Sequence, residues 1–117
     1  LSRAKITKEE LTENDTTFFS VYIQTKNANQ LFLSETEDKL GTLAVAMPQP
    51  KNLVGSPLSS VLLGDRNIMI ARLLAELLAQ KTNKISLVSV FVKSLSEQEV
   101  APILKKLMEN TLKKEEE

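Results

Sequence analysis

The sequence predicts an α+β fold, a mostly antiparallel β-sheet of about five or six strands with two flanking α-helices. Several short β-branched and aromatic runs are separated by polar or proline-containing turns, and two longer runs carry helical apolar spacing. A chain of 117 residues, 42% hydrophobic and 26% charged, has room for one core and sits near the composition of folded domains. The expected division is a polar N-terminal arm over 1–17, a single domain over 18–114 and a frayed acidic tail over 115–117.

Leu1 to Thr17 is polar, with Leu1, Ala4, Ile6 and Leu11 its apolar residues, and reads as a loose arm with at most one short edge strand. Phe18 to Ile23 is aromatic and β-branched and alternates Phe19, Val21 and Ile23 against Phe18, Ser20 and Tyr22. That period of two is a strand. Turn residues Lys26 to Asn29 lead into Leu31-Phe32-Leu33, so the two runs suggest an antiparallel hairpin. After a polar turn at Glu35 to Gly41, Leu43-Ala44-Val45-Ala46-Met47 is continuously apolar and stops at Pro48, the pattern of a central strand. Pro48, Pro50 and Pro57 bracket a loop, and Ser59 to Leu63 forms a short strand that ends at Gly64.

Asp65 or Asn67 can cap a helix over Arg66 to Thr82. Its polar residues Arg72, Glu76 and Gln80 recur every fourth position and form a narrow stripe, so the remaining surface asks for burial by the domain or by a partner. Lys81, Asn83 and Lys84 suit the helix end, where cations meet free carbonyls and Asn tolerates the left-handed conformation. Ile85 to Val92 is an interior strand, apolar on most of both faces. Ser96-Glu97-Gln98-Glu99 is a capping box, with Leu95 and Val100 as its staple, and Pro102 follows beyond the first turn.

The composition excludes whole classes of chemistry. Cysteine and histidine are absent, which removes thiolate nucleophiles, Cys or His zinc sites and the commonest neutral-pH base. Fifteen basic and fifteen acidic residues cancel, so no field gathers nucleic acid or anionic lipid. No apolar run approaches the ~20 residues of a membrane span, and a soluble protein is expected. The opening residues lack an apolar signal core, and the absence of an initial Met leaves room for residues upstream. Gly41, Gly55 and Gly64 lie too far apart for a phosphate cradle. Glu35, Glu37 and Asp38 read as a solvated turn before they read as a metal site, and Gly64-Asp65 as a turn and cap before an anion site. Lys81, Lys84 and the basic residues of the last helix serve solubility and the helix dipole, or an acidic partner.

Three blocks in order, Leu43-Ala44-Val45-Ala46-Met47, Leu62-Leu63-Gly64-Asp65 and the helix ending Leu78-Ala79 before Lys81-Thr82-Asn83-Lys84, resemble the proteasome assembly chaperone 4 family. The resemblance spans about Phe18 to Leu112. It implies an antiparallel sheet with flanking helices, no cofactor and no enzymatic activity. It also implies a heterodimer with a proteasome assembly chaperone 3-like protein that helps proteasome α-type subunits form the outer ring of the core particle. The sequence differs from vertebrate members in the Pro48 to Pro57 loop, the longer polar N-terminus and the acidic tail.

A coverage argument points to a partner as well. Five strands at ~4.8 Å spacing make a sheet about 24 Å wide, and two helices of ~10 Å diameter cover one face of it. Apolar residues nevertheless stand on both sides of the strands. The expected partner-binding residues are Phe18, Val21, Tyr22, Leu74, Leu78, Lys81, Asn83 and Lys84. The expected location is the cytoplasm, with the nucleus as a second compartment, and neither nucleic acid nor membrane is an expected partner. The competing reading is a scaffold subunit of a trafficking or signalling complex, which a pull-down would reveal through coat or small-GTPase regulators. An enzyme built on carboxylates and lysines alone is the third.

Overall fold

A computed structural model describes residues 3–50 and 58–117. The elements run β1 (Lys5–Glu13), β2 (Thr16–Gln24), β3 (Ala28–Glu35), β4 (Thr42–Ala46), β5 (Ser59–Leu63), α1 (Ile68–Thr82), β6 (Ile85–Phe91) and α2 (Glu97–Glu115). The six strands form one sheet in the order β1-β2-β3-β6-β4-β5. Most of the loop expected between Pro48 and Pro57 lies outside the described residues.

The loose arm expected over 1–17 is, from Lys5, a nine-residue edge strand paired along the whole length of β2. Asn14 and Asp15 make its hairpin possible. Both adopt the left-handed conformation, φ 50° and 65°, as the tight two-residue turn that matches strand twist requires. The helix end secures the strand from the other side, because Lys5 Nζ donates to the Glu115 carbonyl at 2.6 Å and Lys114 Nζ to that of Lys8 at 2.7 Å.

β2 and β3 form the expected antiparallel hairpin. The third pairing differs from a simple meander, since β6 lies parallel to β3, with Leu31 opposite Val88, and antiparallel to β4. The connection from β3 to β4 therefore passes over the end of β6. α1 then carries the chain from the β5 edge back to the centre of the sheet.

Both helices lie on one face. α1 packs on β4, β6 and β5, and α2 on β1 and β2. Phe18, Tyr22, Leu31, Leu33, Ala44, Ala46, Val88 and Val90 point into that layer and meet Leu74, Leu78, Leu104 and Leu107 from the helices. Two polar links cross it: Ser20 and Thr111 share a hydrogen bond at 2.7 Å, and Asn29 Nδ2 donates to Thr82 Oγ1 at the same distance.

The capping box at Ser96 is present in full, with the Glu99 N–H donating to Ser96 Oγ at 3.2 Å and the Ser96 N–H to Glu99 Oε1 at 3.1 Å. The start of α1 is built otherwise. Asn67 occupies the cap position, but it is left-handed and its Nδ2 donates to the Val92 carbonyl at 3.0 Å. The acceptor for the first turn comes from the other helix, where Glu97 Oε2 receives the Ile70 N–H at 2.7 Å. At the far end Asn83 is left-handed, φ 57°, and its N–H closes the last turn on Ala79.

The polar stripe of α1 is not the whole of its water-facing side. Arg72 and Gln80 are exposed, Arg72 Nε and the half-buried Glu76 carboxylate both bond Ser59 Oγ on β5, and the outer surface also carries Met69, Leu73 and Leu77. Nor is Glu35 part of a solvated turn. It is 7% exposed and receives the backbone N–H groups of Lys93 and Ser94 and the Ser94 hydroxyl, tying the end of β3 to the start of the loop before α2.

Burial pushes the Glu35 carboxyl up, but hydrogen bonds from the Ser94 hydroxyl and the two N–H groups, with the charge of Arg66, outweigh it and hold the carboxyl below its ordinary value of 4.5. The unfolded chain thus binds this proton at higher pH than the folded one. The stabilisation is present above the ordinary value and disappears as pH falls through the depressed one. Denaturant titrations from neutral pH to about pH 3 should show a shallower loss of stability for Glu35→Gln than for the wild type. Parallel acid slopes would show that Glu35 is not the group responsible.

Candidate partner-binding surface

The face of the sheet opposite the helices has no cover of comparable size among the described residues. Register places Ile6, Ile23, Gln30, Leu87 and Val45 in one row across it, and Lys8, Val21, Phe32, Ser89 and Leu43 in the next. Phe19 and Phe91 flank Ser34 in a third. Phe19, Val21, Ile23, Phe32, Leu43, Val45, Leu87 and Phe91 are all half-buried by their neighbours. Ile6 at the β1 margin is 59% exposed and Met47 beyond β4 is 53% exposed.

The β3–β4 connection borders this surface and supplies its charge. Val21 and Phe32 line a shallow depression with Asp38, Lys39 and Leu40. Lys39 Nζ lies 5.0 Å from the centre of the Phe91 ring and 3.1 Å from Glu37 Oε1, while Lys93 approaches the same ring at 5.3 Å. The surface is thus an apolar band with a mixed-charge rim, the pattern of a protein interface.

The eight residues expected to bind a partner separate sharply. Val21 stands on the uncovered sheet face. Phe18, Tyr22, Leu74 and Leu78 do not, being at most 1% exposed between sheet and helices. They hold the chain's own core, and the expectation is corrected for these four. Lys81 and Asn83 are exposed at the end of α1, and Lys84 Nζ donates to the Thr25 carbonyl at 3.3 Å. Sequence reading missed Phe32, Leu43, Val45 and Leu87 as surface members. Their signal was the second alternating set in each strand, which becomes decisive only when it is known which set the helices cover.

Among the described residues no group of three or more acidic side chains gathers as a metal site, and no helix is long and apolar enough to cross a membrane.

A protein-family model described as Proteasome assembly chaperone 4 matches residues 11–92. The chain belongs to the proteasome assembly chaperone 4 family. Among solved structures it is similar to a chain in the crystal structure of a chaperone complex for yeast 20S proteasome assembly, with a TM-score of 0.70 and 19% identity over 96% of this chain and 97% of that one. At that identity the likeness speaks for the fold. No curated protein matches the chain. The family match begins at Leu11, on β1, and ends at Val92, one residue past β6. In this proteasome assembly chaperone 4 family member it therefore takes in strands β2 to β6, part of β1 and all of α1, and most of the uncovered sheet face.

Proposed function

We propose that the chain is one half of a heterodimeric assembly chaperone, its uncovered sheet face seated against a related type 3 chaperone, and that the pair promotes assembly of the α-subunit ring of the proteasome core particle. The observation that carries this reading is a six-stranded sheet with both helices on one side and apolar side chains on the other. Six strands at ~4.8 Å and five or six residues at ~3.3 Å give a face of roughly 500 Å² in projection. A standard interface takes about 800 Å² of accessible surface from each partner, so the face is of the right order. Family membership supports the proteasome as the setting.

The mechanism is binding alone. The pair holds an α-type subunit in the order that ring growth needs and leaves when the growing particle offers that subunit a competing contact. No bond is made or broken, so the chain acts as a non-enzyme, in the cytoplasm and, by the same reading, in the nucleus.

Coexpression with a type 3 chaperone followed by light scattering tests the pairing. The two chains should elute as one 1:1 species. Val21→Glu, in the middle of the face, and Ile6→Glu, at its exposed margin, should each weaken pairing by about tenfold or more, since a charge desolvated without a partner is costly. Circular dichroism checks that both variants keep their fold. A wild-type chain that stays monomeric beside the type 3 chaperone, or variants that pair as well as wild type, would refute the proposal; copurifying trafficking or signalling subunits in place of proteasome α-type subunits would favour the scaffold reading.

A further inference from the structure

A second apolar surface lies on the other side of the molecule, along the outside of the helix layer. Met69, Leu73 and Leu77 recur every fourth residue on α1 and are 76%, 47% and 37% exposed. The outer side of a helix that packs on a sheet normally carries polar residues; here Met69, Leu73 and Leu77 share it with Gln80, while Arg72 and Glu76 reach toward Ser59 on β5. α2 forms the opposing wall. Two hollows follow each other between the helices, one of ≈ 460 Å³ at Met69, Leu73 and Ala101, the other of ≈ 280 Å³ at Leu77, Lys81, Lys105 and Met108.

We infer that this groove binds an amphipathic helix of a partner protein, with apolar residues one turn apart against Met69, Leu73 and Leu77 and an acidic residue held by Lys81 and Lys105. Shape decides for a helix. The groove runs between two helices whose backbone N–H groups are engaged within their own turns, so it offers an extended peptide no strand edge to pair with. The stripe from Met69 to Leu77 spans nine residues, a length of about 12 Å between its ends, which matches three anchors at one-turn spacing on a second helix.

Charge decides what that helix carries. Lys81 and Lys105 are both exposed beside the second hollow, and among the described residues neither forms an ion pair, although Glu109 lies on the same rim. At the other end the Glu97 carboxylate is occupied by the Ile70 N–H. The groove is therefore apolar with a cationic end, and an acid one turn beyond the anchors answers it. A second copy of this chain, paired by a two-fold axis, would set Lys81 against the Met69 end and leave the cations unanswered. The groove faces away from the uncovered sheet face, so it remains open while that face is paired, and the inference does not depend on the pairing.

Fluorescence anisotropy on the full chain tests it, with a synthetic helical peptide bearing leucines at one-turn spacing and two glutamates one turn beyond. Binding should saturate, and Leu73→Glu should weaken it by about tenfold or more. Lys81→Glu combined with Lys105→Glu should weaken the glutamate peptide and strengthen one with lysines in those places, each by about tenfold. Val21→Glu, on the sheet face, should change nothing, which separates this result from the test of pairing. Thermal melts confirm that the variants stay folded. Absence of saturation, indifference to Leu73→Glu, or failure of the charge exchange would each overturn the inference, as would a homodimer in light scattering that Leu73→Glu dissociates.

Discussion

Alanine at position 41 should cost the fold about 3 kcal/mol or more, the upper end of what overpacking costs and a large share of the roughly 5–15 kcal/mol that keeps a domain folded. Gly41 closes the connection from β3 to β4, where the chain presses on the backbone of β6. A Cβ placed there would lie 2.1 Å from the Val90 carbonyl oxygen and 2.8 Å from the Phe91 Cα. Neither obstacle is a side chain that can swing aside. The Gly41 N–H also donates to Ser89 Oγ at 2.8 Å, so moving the crossing chain away strands a hydroxyl that is 0% exposed. Ser89→Ala, which removes that bond without adding bulk, should cost only about 1 kcal/mol. Urea titrations of both variants decide the matter, and a Gly41→Ala midpoint close to that of Ser89→Ala would mean that the crossing is loose.

Asn29→Ala should cost about 2–4 kcal/mol, because one amide serves the buried Tyr22 and Ser86 and the half-buried Thr82. The Tyr22 hydroxyl donates to Asn29 Oδ1 at 3.0 Å, and Nδ2 donates to Thr82 Oγ1 at 2.7 Å and to Ser86 Oγ at 3.1 Å, joining β2, β3, β6 and the end of α1. Thr82 and Ser86 keep carbonyl acceptors at Leu78 and Lys84 when the amide is gone. Tyr22 keeps nothing comparable and sits 1% exposed with an orphaned donor. A sign reversal follows. Tyr22→Phe should destabilise the wild type by about 1 kcal/mol but stabilise Asn29→Ala, since it removes the orphan. A Tyr22→Phe effect of the same sign in both backgrounds would show that the network is not coupled in this way. Burial, helped by the charge of Glu115 and opposed by the nearby Gln24 side chain, pushes the Tyr22 phenol up to about 12. It is the single tyrosine of the chain, so its ultraviolet titration reads this group alone. The unfolded chain releases the proton near 10 and the folded one holds it, so stability should fall as pH rises from about 10 to about 12.

Elements whose signal is local could be read from the sequence. Alternation marked β2, a run apolar on most of both faces marked β6, Ser96 and Glu99 marked the start of α2, and Asn83 marked the end of α1. β1 was misread because an edge strand with one face toward α2 and the other toward solvent needs few apolar residues, and Leu11 is one of the few it offers. Its clearest signal, Asn14-Asp15 between two β-compatible runs, was there to be used. The parallel pairing of β3 with β6 joins residues more than fifty positions apart and leaves no trace in either segment. The partner surface failed for a related reason. Phe18 and Phe19, or Val21 and Tyr22, are equally apolar neighbours on opposite faces, and only the docking of the helices decides which of each pair becomes core. The acceptor for the first turn of α1 likewise comes from Glu97, thirty positions beyond Asn67, so the local candidates Asp65 and Asn67 do not reveal it.

The strand order β3-β6-β4 also fixes a sequence of events during synthesis. β3 and β4 emerge from the ribosome early, yet the strand that belongs between them is the last of the six, and the Glu35 bonds that pin the end of β3 wait for Lys93 and Ser94. Until that point the nascent chain carries two unsatisfied strand edges flanking a gap one strand wide. Joining β3 and β4 directly would close the gap with the wrong neighbour, and every such pairing must be undone before β6 can enter. The barrier to folding is thus set by an insertion across the middle of the sheet, an entropic hurdle of the kind that makes non-local topologies slow. While that hurdle stands, the newborn chain is itself vulnerable to capture by other strands, and its completion depends on the arrival of β6 and of the Lys93–Ser94 loop behind it.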